Sequence, residues 1–114
     1  MRPIFESKMI DAATSPAVSA VFTNNNCDVC SVHVTGTFSS ATAYVQGMTG
    51  GEAGEWVNLC VINLSTYEKS STGMRTAGIF ETGIEGISQI RVNVTAVSGG
   101  AISCYMRCAD SSAA

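Results

Sequence analysis

The sequence is poor in charged residues, and the few that it has are scattered. Charged side chains make up 13% of the 114 residues, and only six residues are Lys or Arg. Proteins that bind nucleic acid cluster basic residues on one face, because those residues neutralise phosphates. With a formal net charge of −3 and no basic cluster, the chain is not expected to bind nucleic acid.

Long apolar runs are also absent. No stretch approaches the roughly 20 apolar residues that span a bilayer. Residues 1–20 show no basic segment followed by an apolar run, as a secretory signal would. We therefore expect no membrane partner and synthesis inside the cell. The length suits one domain with one hydrophobic core.

Side chains with catalytic chemistry are equally scarce. His33 is the only histidine, and no second base accompanies it to activate a serine. The stretch "GGEAG" at 50–54 lacks the lysine and the following helix of a phosphate-binding loop. The sequence thus predicts a protein that is not an enzyme, with no catalytic residue, no cofactor and no metal.

What the chain does have is the composition of a β-protein. Val, Ile and Thr are abundant, whereas Leu59 and Leu64 are the only leucines. Apolar and polar side chains alternate with the period of strands that are buried on one face, over residues 30–38, 42–48, 89–96 and 101–108. The turn signal Ser98-Gly99-Gly100 predicts a hairpin of the last two segments, and the break at Ser39-Ser40 predicts a second hairpin of the first two.

The middle of the chain is less regular. In "WVNLCVI" (56–62) apolar residues fall on both faces of the predicted strand. This predicts a central strand covered on both sides, with Trp56 as a core or rim anchor. Residues 63–76 have no clear period and are expected to form a surface loop. Shorter strands are expected near 77–81 and 17–22.

These elements predict an all-β fold, a single antiparallel β-sandwich of about seven short strands over residues 17–110. Residues 1–16 contain two prolines and several apolar side chains. They are expected to form an extended N-terminal arm laid across a partner or, as an alternative, an extra edge strand of the same domain. Residues 111–114 are expected to be a flexible tail.

A set of short motifs between about Val32 and Arg107 resembles a family of small virion structural proteins of tailed bacteriophages. The matching positions are Gly36-Thr37-Phe38-Ser39, Trp56, Gly86-Ile87, Ile90-Arg91-Val92 and Gly99-Gly100. The resemblance implies a β-sandwich that sits in or on a phage particle as a head decoration, minor capsid or collar protein. It carries over no catalytic residue, and the cysteines are not part of its pattern.

The cysteines allow two kinds of site that the spacing argues against. Cys27-Asp28-Val29-Cys30 has the spacing of a thiol-exchange motif, but it enters a strand rather than the helix that lowers a thiol pKa. Cys27 and Cys30 with Cys104 or Cys108 and with His33 have the chemistry of zinc ligands. Zinc ribbons use two closely spaced pairs, however, and here the second pair is spread along a strand.

Disulfides remain as the third interpretation. Five cysteines are an odd number, so at least one must stay free or pair with another chain. The alternation of apolar and polar residues places three cysteines on the faces of the strands that point to the core. Burial is therefore predicted for Cys30, Cys60 and Cys104. The polar surroundings of Cys27 and Cys108 predict exposure, which makes these two the favoured positions for intersubunit disulfides. Cys104 and Cys108 cannot bond to each other, since four residues of strand span about 13 Å.

Together these observations predict a virion structural protein that is synthesised in the host cytoplasm and reinforces the particle. Its expected partners are other virion proteins of the capsid, neck or tail, and further copies of itself in an oligomer or lattice. The alternative is a carbohydrate-binding or host-attachment module, since sandwiches often present ligand sites on a sheet face or end loops.

Overall fold

The structure is a computed structural model that describes residues 2–50 and 54–110. The described part contains strands and turns only, arranged as two antiparallel sheets. None of its elements is a helix long and apolar enough to cross a membrane. The predicted all-β sandwich is therefore confirmed. Residues 111–114, for which we expect a flexible tail, lie outside the described residues.

The described residues form eleven strands rather than about seven, because several loops contain paired segments of two or three residues. The strands are β1 (Arg2–Ala13), β2 (Ala17–Val18), β3 (Phe22–Thr23), β4 (Val29–Thr37), β5 (Ser40–Met48), β6 (Val57–Asn58), β7 (Val61–Asn63), β8 (Glu68–Ser70), β9 (Gly78–Gly83), β10 (Gln89–Ser98) and β11 (Ala101–Asp110). The first sheet has the order β1-β11-β4-β9-β7-β8. The second has the order β2-β10-β5-β6, and β3 also pairs with β10.

The core lies between the two sheets and is built from the alternating residues of the four long central strands. Val32 and Val34 on β4 and Val92 and Val94 on β10 are fully or almost fully buried. Each such side chain stabilises the fold by about 1.5–3 kcal/mol relative to an exposed one. The residues that the apolar–polar alternation predicts to be buried on these strands are thus the ones that face the core in the structure.

The two predicted hairpins are wrong. β4 and β5 lie in different sheets, and so do β10 and β11. Instead, β4 pairs with β11 and β5 pairs with β10, with Thr37 opposite Ala101 and Ser40 opposite Ser98. The four strands are therefore one long antiparallel ribbon, which folds over at a corner from the first sheet into the second.

Glycine makes this corner possible. Gly99 and Gly100 have φ values of 70° and 149°, which disfavour other residues. A Cβ atom on Gly100 would overlap the carbonyl oxygen of Thr37 on the neighbouring strand. The Ser39 amide donates a hydrogen bond to the Ser98 carbonyl, 2.9 Å away, so the pairing continues through the bend. The Gly-Gly signal does mark a change of chain direction, but this change is a bend of two paired strands from one sheet into the other.

The stretch 56–62 is not one central strand, which corrects the prediction. It divides into β6, on the edge of the second sheet, and β7, in the first sheet. Both phases are apolar because the chain crosses between the sheets there, with Leu59 packed against the core and Val57 58% exposed. Trp56 is half-buried, and the Arg91 guanidinium carbon lies 4.2 Å from the centroid of its ring.

The expected surface loop at 63–76 contains more structure than the sequence indicates. It includes β8, and Met74 is completely buried. The Met74 and Ala43 backbones exchange two hydrogen bonds of 2.7 and 3.0 Å, which attach the loop to β5. A single inward methionine leaves no periodic signal, so sequence reasoning missed it.

Residues 2–13 form an edge strand, the second of the two alternatives for the N-terminal segment. β1 pairs with β11 over most of its length, with Ile10 opposite Cys104, and Ile10 is buried. Phe5 stacks on Phe22 of β3 with ring centroids 4.2 Å apart, which joins the edges of the two sheets. The register shifts at three places along β1. Such bulges make an edge strand a poor template for pairing with another chain.

Candidate functional site

Three cysteines meet at one end of the sandwich, where β4 begins and β11 ends. Cys30 and Cys108 are directly opposite each other in the register of β4 and β11, and both are completely buried. Cys27, in the loop before β4, is 4% exposed and interacts electrostatically with both. The structure thus brings Cys108 to two thiols, Cys27 and Cys30, that are far from it along the chain.

Asn24 folds the loop that carries Cys27 against this end. Its side-chain amide donates hydrogen bonds to the carbonyls of Cys27 (3.0 Å), Ile84 (3.3 Å) and Ile87 (2.9 Å). Its side-chain oxygen accepts a bond of 2.8 Å from the Cys27 amide. One asparagine therefore ties the loop at 24–27 to the loop at 84–87 and holds Cys27 against the core.

The surroundings of the thiols shift their acidities in opposite directions. A hydrogen bond between the side chains of Cys30 and Cys108 raises the pKa of Cys30 well above its ordinary value, and burial adds to this. The same hydrogen bond lowers the pKa of Cys108, because it stabilises the Cys108 thiolate. Burial raises the pKa of Cys27. The first proton to leave therefore belongs to the pair, and the remaining thiol stabilises the thiolate that forms.

The expected exposures of three cysteines are wrong. Cys27 and Cys108 are buried, and Cys60 is exposed. Cys27 is buried because Asn24 pulls its loop inward. Cys108 continues the inward phase of β11, whereas its nearness to the polar tail suggested exposure. Cys60 points outward because the chain is crossing between the sheets there.

Of the remaining predictions for the cysteines and His33, some are confirmed by the structure and others are not tested by it. Cys30 and Cys104 are buried as expected, and the pKa of Cys104 is raised to about 12 by burial. His33 is exposed on the outer face of β4, which was also expected. Within the described residues, no group of three or more His, Cys, Asp or Glu side chains is placed to hold a metal ion. Disulfides between subunits stay a prediction.

The outer face of the first sheet carries a second cluster, which sequence reasoning missed. Tyr105 on β11 is 41% exposed, Lys8 Nζ lies 5.2 Å from the centroid of its ring, and the His33 ring lies 6.5 Å away. Arg107 Nε and Glu6 Oε1 form an ion pair of 3.3 Å beside it. The groove between these side chains has a volume of about 720 Å³. No signal in the sequence shows that β1 pairs with β11, which is what assembles this cluster.

The geometry of the two clusters indicates what each can do. The buried thiols can form an S–S bond with one another, which needs no bound ligand. The groove at Tyr105 presents an aromatic ring between polar groups, as ligand sites often do. Neither cluster contains a nucleophile with an adjacent general base of the kind used in acyl transfer.

Comparisons with known proteins give one family and two similar structures. The model of the family described as XepA matches residues 4–107. The crystal structure of the SPBc2 prophage-derived protein YomS superposes with a TM-score of 0.80 at 20% identity, over 96% of each chain. The crystal structure of the PBSX exported protein XepA superposes with a TM-score of 0.79 at 18% identity, over 91% of this chain and 37% of that chain. No curated protein matches significantly. At these identities the structural likeness establishes a shared fold.

Proposed function

This chain belongs to the XepA family, and from that premise we propose that it is a non-enzymatic structural protein of a bacteriophage or prophage. In the form we favour, it is a minor capsid, decoration or collar component that reinforces the particle. Its neighbours are then other virion proteins and further copies of itself.

The observation that carries the proposal is the likeness of the whole sandwich to a prophage-derived protein. That protein and this chain cover each other over 96% of their lengths, so the likeness extends over the whole sandwich. The space between the two sheets is filled by apolar side chains, so the sandwich acts through its surface. This agrees with the motifs shared with small phage virion proteins, all of which fall within the family match.

Cross-linking between subunits is part of the proposal, but through a cysteine other than Cys27 and Cys108, which the sequence favoured. An intersubunit disulfide needs a thiol that a neighbour can approach, and released particles enter an oxidising medium that permits the bond. Of the five cysteines, Cys60 is the exposed one. We therefore assign subunit cross-links to Cys60 in place of Cys27 and Cys108, which would have to leave the core.

A second candidate is supported by the outer face of the first sheet. The structurally similar XepA is described as an exported protein, and a protein that acts outside the cell can bind host surfaces. The groove at Tyr105, with charged groups on both sides, suits a carbohydrate, which packs its ring on an aromatic face and accepts hydrogen bonds from Lys and Arg. This is the host-attachment alternative.

Deletion of the gene from the phage genome distinguishes the two. A reinforcing component predicts particles that form but lose their DNA at a lower temperature or after osmotic shock, with normal adsorption to cells. An attachment module predicts stable particles with slower adsorption, and the substitution Tyr105→Ala reproduces that defect. Unchanged particle stability and adsorption would contradict both proposals.

A further inference from the structure

Cys30 and Cys108 occupy positions from which a disulfide can form within one chain. They are cross-strand partners on β4 and β11, two neighbouring inner strands of the first sheet, and both side chains are completely buried. Directly opposite residues on one face of an antiparallel pair have the shortest side-chain separation that a sheet offers. No local signal in the sequence indicates this pairing, because the two residues are 78 positions apart in the chain (108 minus 30).

The spacing of antiparallel strands satisfies the main requirement of the bond. Opposite Cα atoms are about 4.5 Å apart in one type of pair and about 5.5 Å apart in the other. Disulfides are found with Cα separations of about 4.4–6.8 Å, so either type of pair is suitable. The Cβ atoms have to approach by at most about 1 Å. Both side chains are completely buried on the same face of the sheet, and each is close enough to the other to shift its pKa.

Cys104 shows that this arrangement is not general for the cysteines of the sheet. It lies on the same strand and the same inward face as Cys108 and is equally buried. Its cross-strand partners are Val34 on β4 and Ile10 on β1, neither of which carries sulfur. Burial alone therefore does not create a pair, whereas the register at Cys30 does.

A reagent has a short path to the thiols. An open depression of about 580 Å³ at this end of the sandwich is lined in part by Asn24, Cys27 and Asp110. Cys27 is next to both members of the pair. The pair itself does not line the depression, so a small molecule there would reach it only if the loop at 24–27, which Asn24 holds closed, opened locally.

We propose that Cys30 and Cys108 form an intrachain cross-strand disulfide when the protein meets a low-molecular-weight disulfide outside the reducing cytosol. The bond follows from the strand register and would form in the purified chain. Only the setting, an oxidising medium after release, rests on the proposed function.

The reaction is a double thiol–disulfide exchange. A thiolate of the pair attacks one sulfur of the small disulfide, which breaks its S–S bond and releases one small thiolate. The other cysteine then loses its proton and attacks the first cysteine's Sγ, which releases the second small thiolate. The two cysteine sulfurs are oxidised, the small disulfide is reduced to two thiols, and these thiols carry away the two protons.

The test uses the full chain with the substitution Cys60→Ser, which removes the exposed thiol without altering the core. The reduced protein is incubated under native conditions with excess oxidised glutathione, and remaining thiols are alkylated after unfolding. Before alkylation, intact mass is expected to be lower than that of the reduced protein by two hydrogen atoms, and alkylation is then expected to add two groups rather than four. Trypsin cuts between Cys104 and Cys108 at Arg107, and a protease that cleaves before aspartate separates Cys27 from Cys30 at Asp28. We expect one cross-linked peptide that joins Cys30 to Cys108, with Cys27 and Cys104 alkylated.

Three results would overturn the proposal. These are alkylation of both Cys30 and Cys108, a disulfide that joins Cys27 to either of them, and glutathione retained on Cys108 without closure of the bond. Failure here leaves the assignment to a phage particle untouched, because the purified chain contains no particle.

Thermal unfolding gives an independent readout. The bond closes a loop over most of the chain, so oxidation is expected to raise Tm by roughly 10 °C. Reductant should reverse the rise, and a variant that also carries Cys108→Ser should show none. A fall in Tm on oxidation would mean that the native register does not accommodate the bond, and it would overturn the proposal even if the cross-linked peptide were found.

Discussion

At the scale of single residues, Asn24 determines how one end of the sandwich closes. Its four hydrogen bonds go to backbone groups of two loops, so no single replacement satisfies all of them. Its neighbours Asn25 and Asn26 are exposed. The three residues look identical in the sequence, and only the position of the loop at 84–87 separates them.

We expect Asn24→Ala to lower the free energy of unfolding by about 2–3 kcal/mol, because it leaves the Cys27 amide and partly buried carbonyls without partners. The matched change Asn25→Ala is expected to stay within about 0.5 kcal/mol of the parent protein. Urea denaturation under reducing conditions measures both. Equal effects of the two substitutions would contradict the role assigned to Asn24.

Cys104 gives a pH-dependent prediction. Its folded pKa is raised to about 12, whereas an unfolded cysteine ionises near about 8.5. Between these values the unfolded chain releases a proton that the folded chain keeps, so stability falls as pH rises, by about 1.4 kcal/mol per pH unit for one thiol. Other buried thiols and tyrosines add to the decline of the parent protein.

The substitution Cys104→Val isolates this contribution. We expect the unfolding free energy of the variant to decline less steeply than that of the parent protein between about pH 9.5 and 11, by about 1.4 kcal/mol per pH unit. Urea denaturation at several pH values, with reductant present, measures the two slopes. Parallel slopes would show that Cys104 ionises in the folded protein as easily as in the unfolded one.

The cysteines also show the limit of sequence reasoning at this scale. The alternating pattern correctly places Cys30 and Cys104 inward, and Cys108, which follows the same pattern on β11, is buried despite its nearness to the polar tail. The burial of Cys27 depends on a hydrogen bond to a distant loop, and the pairing of Cys30 with Cys108 depends on strand order. Neither leaves a local signal.

At the scale of elements, the folded ribbon of β4, β5, β10 and β11 is the main departure from the predicted topology. Alternation identifies all four strands, because it depends only on which face of a strand is buried. It does not identify partners, since a glycine turn between two strands is compatible with a hairpin or with a corner. The register through Ser39 and Ser98 is what decides between them.

The corner predicts a strong effect of Gly100→Ala. The new methyl group would overlap the Thr37 carbonyl, and the backbone angle disfavours alanine. We expect a loss of at least about 2 kcal/mol in unfolding free energy. Gly83→Ala is the control, since Gly83 has open space around its Cα and no positive φ. Equal denaturation midpoints of the two variants would contradict the close approach of Gly100 to the Thr37 carbonyl at the corner.

The N-terminal strand gives a prediction about domain boundaries. β1 covers one edge of β11 and supplies Ile10 to the core. Removal of residues 2–13 exposes the unpaired edge of a central strand, so we expect a destabilised protein that aggregates. The control is Lys8→Ala together with Asp11→Ala, which removes an exposed ion pair and is expected to change stability little. A truncated protein with the parent Tm would restore the interpretation of residues 1–16 as a separate arm.

At the scale of the whole molecule, the sequence is sufficient to predict the fold class but not the shape of the surface. Composition and period alone indicate a sandwich, because both describe what the core requires. The groove at Tyr105 arises where β1, β4 and β11 lie side by side, so it could not be predicted without the strand order. Function in this family therefore has to be tested on particles and on surfaces, rather than deduced from a motif.

The most direct test of the central claim is the copy number of this chain in gradient-purified phage particles, measured by quantitative mass spectrometry against the major capsid protein. A structural component predicts a fixed ratio across the particle peak that survives washing in high salt. A chain that remains in the soluble fraction, or whose ratio falls with each wash, would contradict the account.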